Sequence, residues 1–189
     1  VPGQGYVPLE AGPLARRIAA AGPGAAAHQD DDPLFLDIYN KIGPSVMVRQ
    51  LARMHEGPKY FKWARKWLDD IELRESFYTK PIEHESGKGF GSTEAARGAL
   101  SDWIVIEDGK IANYQVVTPT AWNIGPRDGD GQLGPIEQAL VGSPIAALED
   151  PVALGLVARS FDSCLVCTVH AYDGKTGREL SRFVVNGNV

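Results

Sequence analysis

The chain has 189 residues, 43% apolar and 23% charged, with a net charge of −5. That is enough for one domain with a real core, or for a piece of something larger. The acidic balance argues against a nucleic-acid partner, which would want a basic face, and no stretch approaches the ~20 apolar residues needed to cross a bilayer.

The sequence starts at Val1 with neither a basic nor an apolar leader, so no signal peptide is visible. Tyr6 to Arg16 reads as the middle of a protein, and a missing N-terminal half is expected. Pro13 to Ala21 predicts a short helix, followed by Gly22-Pro23-Gly24 and a loop that turns acidic through Asp32. Pro33 suits the first helical position, with Leu34, Phe35, Ile38 and Tyr39 at helical spacing until Gly43-Pro44. A further helix is expected from Ser45 to His55 and, after Gly57-Pro58, another from Lys59 to Leu73. Helices joined by short Gly-Pro turns suggest a packed bundle.

The character changes after Pro81. Gly87 to Gly98 is Gly-rich and polar and carries no assigned element. Ala99–Ile106 and Ile111–Val117 flank Asp108-Gly109, a hairpin signal. Trp122 to Gly134 reads as a polar loop, and helices are expected at Ile136–Val141 and Val152–Ser160. Val169–Tyr172 and Glu179–Val185 face each other across Asp173 to Gly177 as a second hairpin. The fold class is α+β.

The chain's two cysteines, Cys164 and Cys167, lie in Cys164-Leu165-Val166-Cys167-Thr168-Val169-His170. So short a loop would strain a disulfide, whereas thiolates at i and i+3 converge readily on a soft metal. The histidine falls too late for haem attachment, and the motif follows a helix instead of opening one as a thioredoxin-like pair would. A zinc site would need a ligand beyond Cys164, Cys167 and His170. Two unpaired core thiols is the blandest reading. His84, between Glu83 and Glu85, is read as part of a solvated loop. Gly87 to Thr93 lacks a full phosphate-loop pattern.

Four segments in order narrow the choice. Asp162-Ser163-Cys164-Leu165-Val166-Cys167-Thr168-Val169-His170 resembles the Asp-Pro-Cys-x-x-Cys-x-x-His signature of nickel–iron hydrogenase large subunits. Glu94-Ala95-Ala96-Arg97-Gly98 resembles that family's Glu-Ala-Pro-Arg-Gly, and Pro119-Thr120-Ala121-Trp122-Asn123 its Pro-(Ser/Thr)-Thr-Trp-Asn. Glu10-Ala11-Gly12-Pro13-Leu14-Ala15-Arg16 resembles its Glu-Val-Gly-Pro-Leu-Ala-Arg. The chain is identified as the helix-rich C-terminal portion of such a subunit, residues 1–170, with one or two β-hairpins.

The resemblance implies roles. Cys164 would be a terminal nickel thiolate and Cys167 would bridge nickel to an iron carrying carbon monoxide and cyanide. Arg97 would lie over the open metal position, with Asp162 in the charged shell, paired with an arginine. Thr120 would donate to a cyanide, and Pro119 would help close that pocket. His170 and the Val116 carbonyl would bind magnesium or another divalent ion. The reaction implied is H2 ⇌ 2H+ + 2e−, with electrons leaving through an iron–sulfur small subunit. The location expected is the cytoplasm or the cytoplasmic side of a membrane. A maturation protease would remove residues 171–189.

Ser163 and Ala96 stand where the family commonly has proline, which suggests an uptake-type subfamily. The family's N-terminal Arg-x-Cys-Gly-x-Cys pair is absent, so the centre would have to be completed by the N-terminal half of the subunit. Two other readings share these residues: a non-enzymatic zinc-binding or assembly module on Cys164, Cys167 and His170, and a hydrogen sensor.

Overall fold

A computed structural model describes residues 7–21, 33–74, 76, 78, 85–144, 152–164 and 168–184. The expected acidic loop through Asp32, the start of the second half at Pro81, His84 and Cys167 lie outside the described residues.

Helix α1, Pro13–Ala21, begins with proline, whose missing N–H is no loss at a helix start. Helix α2, Pro33–Ile42, starts the same way and ends at Gly43, where φ is +67° and the amide donates to the Tyr39 carbonyl at 2.7 Å. Ser45 caps helix α3, Val46–Asp69, its hydroxyl accepting from the Val48 amide at 3.3 Å. Leu14, Phe35, Val48 and Ala52 form the core of this bundle, with Ile18, Leu36, Ile38, Tyr39 and Leu51 packed around them.

Helix α3 corrects one expectation: the two helices expected on either side of Gly57-Pro58 are one. Pro58 removes an internal hydrogen bond and crowds the carbonyl four residues back. Burial of Ala52 and Glu56 on the turns just before it anchors the axis and carries the helix through. Beyond Pro58 the helix projects: Phe61 is 80% exposed, and Tyr60, Trp63 and Trp67 line it with tilted rings whose centres lie 5.7 and 6.4 Å apart.

The Gly-rich stretch is a strand. β1, Gly87–Ala95, pairs antiparallel with β2, Gly98–Glu107, from Gly87↔Ile106 to Ala95↔Gly98. It carries no alternation because it is exposed along almost its whole length, so backbone pairing alone defines it. β3, Lys110–Val117, pairs with the other edge of β2 through a tight turn with positive φ at Asp108 (50°) and Gly109 (70°), as the Asp-Gly signal requires. The expected Trp122–Gly134 loop is shorter, because Pro119–Asn123 forms helix α4, which Pro119 opens. Helices α5, Pro135–Leu140, and α6, Val152–Ser160, fall where expected. Strands β4, Thr168–Tyr172, and β5, Glu179–Val184, form the second hairpin.

The order is thus a bundle, a three-stranded sheet, short helices and a terminal hairpin, an α+β architecture. Helices α1, α2 and α6 all pack on α3, and α1 also touches β2. Among the described residues no helix is long and apolar enough to cross a membrane.

Candidate metal centre

Ala96 and Arg97 are the two-residue turn between β1 and β2. The chain returns from it through Gly98, at φ +133°, where a side chain would collide with the Gly12 amide nitrogen at 2.7 Å. Gly12, at φ +129°, also lies close to the Arg97 carbonyl, 3.2 Å from where a Cβ would stand. Two glycines in separate sequence motifs therefore permit one close backbone approach.

From this turn Arg97 reaches Asp162, with Nε 3.6 Å from Oδ1; Arg53, from α3, holds the other oxygen with Nε at 3.4 Å. Both arginine Nε atoms are buried and make no hydrogen bond, so these contacts are ion pairs at long range. Asp162 sits at φ +55°, its amide donating to the Arg159 carbonyl at 2.9 Å as α6 ends. Asp and Asn tolerate this left-handed conformation better than most residues. Two guanidinium cations share one carboxylate two residues before Cys164.

The segment leading to Cys164 is tied down from several sides. Asn123, 1% exposed, accepts from the Ala11 amide at 2.8 Å and donates to the Ala11 carbonyl at 2.9 Å and the Phe161 carbonyl at 3.4 Å. Arg53 Nη2 donates to the Ser160 carbonyl at 3.2 Å. The Arg49 guanidinium lies 3.9 Å from the centre of the Phe161 ring and makes a two-pronged bond to Glu10, both contacts 2.9 Å. Ser163, which replaces the proline of the resemblance, is buried and donates to the Ala158 carbonyl at 3.3 Å. The hydroxyl thus caps a helix-end carbonyl, fixing the backbone by another means than a proline ring.

Cys164 follows as an exposed free thiol. Soft thiolate donors suit a soft metal, so a thiol at this position fits one. The remaining expected residues are spread out. Pro119 and Thr120 open α4, with the Thr120 carbonyl accepting from the Ile124 amide at 3.0 Å. The Val116 carbonyl accepts from the Gln115 side chain at 3.2 Å. His170 lies in β4, with Nδ1 3.4 Å from the Tyr172 hydroxyl and 3.7 Å from Glu179. Among the described residues no three His, Cys, Asp or Glu side chains converge.

Sequence reasoning assigned no role to Arg53, Asn123, Arg49 or Arg16. Glu10, Arg16 and Asn123 sat inside the motifs, and the one available signal was their type: charged or amide groups among residues expected to be buried need partners. Arg53 carried no signal, since its partner is 109 residues away.

A family model described as nickel-dependent hydrogenase matches residues 4–170. The chain is 45% identical over 180 residues to the periplasmic NiFeSe hydrogenase large subunit of Desulfomicrobium baculatum, covering 91% of this chain and 35% of that one. It is 33% identical over 191 residues to the uptake hydrogenase large subunit of Bradyrhizobium diazoefficiens, covering 94% and 32%. Its fold matches the Ni-Fe-Se hydrogenase of Desulfovibrio vulgaris Hildenborough in the reduced state with a TM-score of 0.72 at 34% identity, over 84% of this chain and 34% of that one. The chain thus spans about a third of the length of these relatives. On the match over residues 4–170, the chain belongs to the nickel-dependent hydrogenase family.

Proposed function

We propose that this chain, joined to the rest of a large subunit, forms one wall of a nickel–iron centre that oxidises H2 reversibly to protons and electrons. The observation that carries the reading is the charge shell of Arg97, Asp162 and Arg53 placed just ahead of the free Cys164 thiol. When bound, nickel and an iron carrying carbon monoxide and cyanide supply the Lewis acidity and electron-accepting capacity for splitting H2. Cys164 and Cys167 would hold the metals through thiolate sulfur.

The work of Arg97 is electrostatic: its guanidinium would place a positive charge beside the site where H2 is split. Asp162 balances that charge at long range, and Arg53 holds Asp162 from its other side. Thr120 and Pro119, at the start of α4, would wall the pocket of the iron's cyanide. The other two thiolates come from the N-terminal half of the subunit, and electrons pass to an iron–sulfur small subunit. Delivery of that partner sets the compartment: the D. baculatum relative is named periplasmic, so the cytoplasmic placement expected from the sequence is one option within the family.

The terminal hairpin fits the same reading. Tyr172 and Glu179, the groups on His170 Nδ1, both lie in 171–189. Cleavage after His170 by a maturation protease removes both and leaves the imidazole able to bind a divalent ion with the Val116 carbonyl and ligands from the rest of the subunit.

Metal analysis and H2 uptake on the natively assembled complex test this. Nickel and iron are expected together, lost in Cys164→Ser. Arg97→Lys is expected to keep both metals while H2 oxidation falls by roughly 100-fold. Zinc in place of nickel in the assembled complex would overturn the reading in favour of a zinc-binding module.

A further inference from the structure

A guanidinium has five N–H donors, and Arg16 uses all five. Nε and Nη2 bind the two Glu56 oxygens at 2.9 and 2.8 Å. Nη1 binds Glu94 at 2.8 Å and the Ala95 carbonyl at 2.9 Å, and the second Nη2 hydrogen reaches the Ala96 carbonyl at 3.1 Å. Burial opposes the charge, but the bonds to Glu56 and Glu94 more than offset it and hold this guanidinium's pKa above the ordinary arginine value.

Neutralising Glu56 requires only two of these donors. The other contacts fall on Glu94, Ala95 and Ala96, the residues immediately before Arg97. On the far side of Arg97, Gly98 is pressed against Ala11 and Gly12. Arg16 itself stands one helical turn after Gly12, its amide donating to the Gly12 carbonyl at 2.9 Å. The stretch from Ala11 to Arg16 therefore grips the backbone on both sides of Arg97. The Arg97 side chain is 42% exposed and meets Asp162 at 3.6 Å, beyond hydrogen-bond length, so its own contact aims it weakly. Its direction comes from the backbone that carries it.

We propose that Arg16 is a positioning residue for Arg97, setting the path of the Ala95-Ala96 backbone so that the Arg97 guanidinium points over the metal pair. This rests on the role given to Arg97 above. Lysine cannot take its place: it is a point charge with three donors and cannot span Glu56 and two carbonyls at once.

The test uses the assembled, metal-loaded complex with Arg16→Lys, Arg97→Lys and the double variant. Three readouts are needed: nickel and iron content, kcat and KM for H2, and hydrogen–deuterium exchange of amides 95–98. In Arg16→Lys the metals and KM are expected to stay near the parent's, while exchange at 95–98 rises and kcat falls 10- to 100-fold, the scale of a misplaced group. The double variant is expected to fall within about twofold of Arg97→Lys, because the two changes spoil one function. Faster exchange with unchanged kcat overturns the proposal, as do losses that multiply in the double variant. If Arg16→Lys does not assemble, Glu94→Gln, at a half-exposed carboxylate, takes its place; kcat and exchange must still move together, and one moving without the other overturns the proposal. A parent-like kcat in Arg97→Lys instead overturns the role of Arg97, leaving the exchange result to judge the Arg16 grip by itself.

Discussion

The junction around Asn123 and the terminal hairpin are both small polar structures, yet they are held in opposite ways. In the junction each bond joins distant parts of the chain: Asn123 to Ala11 across 112 residues, Arg16 to Ala96 across 80, Arg53 to Ser160 across 107. In the hairpin the bonds are local, the Asp173 carboxylate accepting from the amides of Lys175 at 2.9 Å and Thr176 at 2.7 Å. A bond that closes a long loop forms only when the surrounding fold forms, so losing it is felt throughout; a bond within a turn is felt in that turn. The chain thus places its proposed reactive groups on the globally fixed part and a detachable tail on the locally fixed part.

Breaking the junction should have the largest effect. Asn123→Leu leaves the Ala11 amide and carbonyl and the Phe161 carbonyl without their partner, and a loss of about 3 kcal/mol is expected from the urea midpoint of the assembled protein. A loss under about 1 kcal/mol would mean that these segments are held by packing alone. Arg53→Met should cost less, about 1 kcal/mol, since its ion pair with Asp162 is long and partly exposed and its bond to the Ser160 carbonyl, at 3.2 Å, is also long. Its clearer mark should be a fall in H2 oxidation with the metals retained, as Asp162 loses one of its two cations.

Removing residues 171–189 should shift the unfolding midpoint of the remainder by less than about 0.5 kcal/mol, because among the described residues none of the junction's bonds reaches there. A large shift would show that the hairpin supports the core. The smallest effect concerns pH. Backbone bonds from Thr176 and Lys175 hold the Asp173 carboxyl below its usual range. A depressed folded pKa contributes stability above the unfolded value, lost as pH falls through the folded one. The hairpin should therefore keep its shape down to the ordinary carboxylate range and loosen only below it, which a carboxylate NMR titration checks. Asp173→Asn should abolish that titration without changing the core.

What was legible in the sequence follows the same division. Signals written within a few residues, such as Pro13 and Pro33 at helix starts, Gly43 after a helix and Asp108-Gly109 between strands, place their elements correctly. Helix α3 and strand β1 differ where the deciding force lay elsewhere. Gly57-Pro58 reads as a break, but the buried Ala52 and Glu56 carry α3 through it. Strand β1 has no apolar face to betray it, only a partner strand. At the candidate site the motifs named Arg97 and Asp162, which the structure brings together, and Cys164, while Arg53 and the Asn123 and Arg16 bonds depend on contacts that no local spacing announces.

The central claim is that Cys164 and the charge shell beside it face a nickel–iron pair. It is tested most directly by an infrared spectrum of the natively assembled complex, in the window where water and protein are nearly silent. Stretching bands of iron-bound carbon monoxide and cyanide that shift under H2 are the result expected. Their absence from fully assembled protein trimmed after His170 would contradict the account and leave Cys164 and Cys167 to another metal.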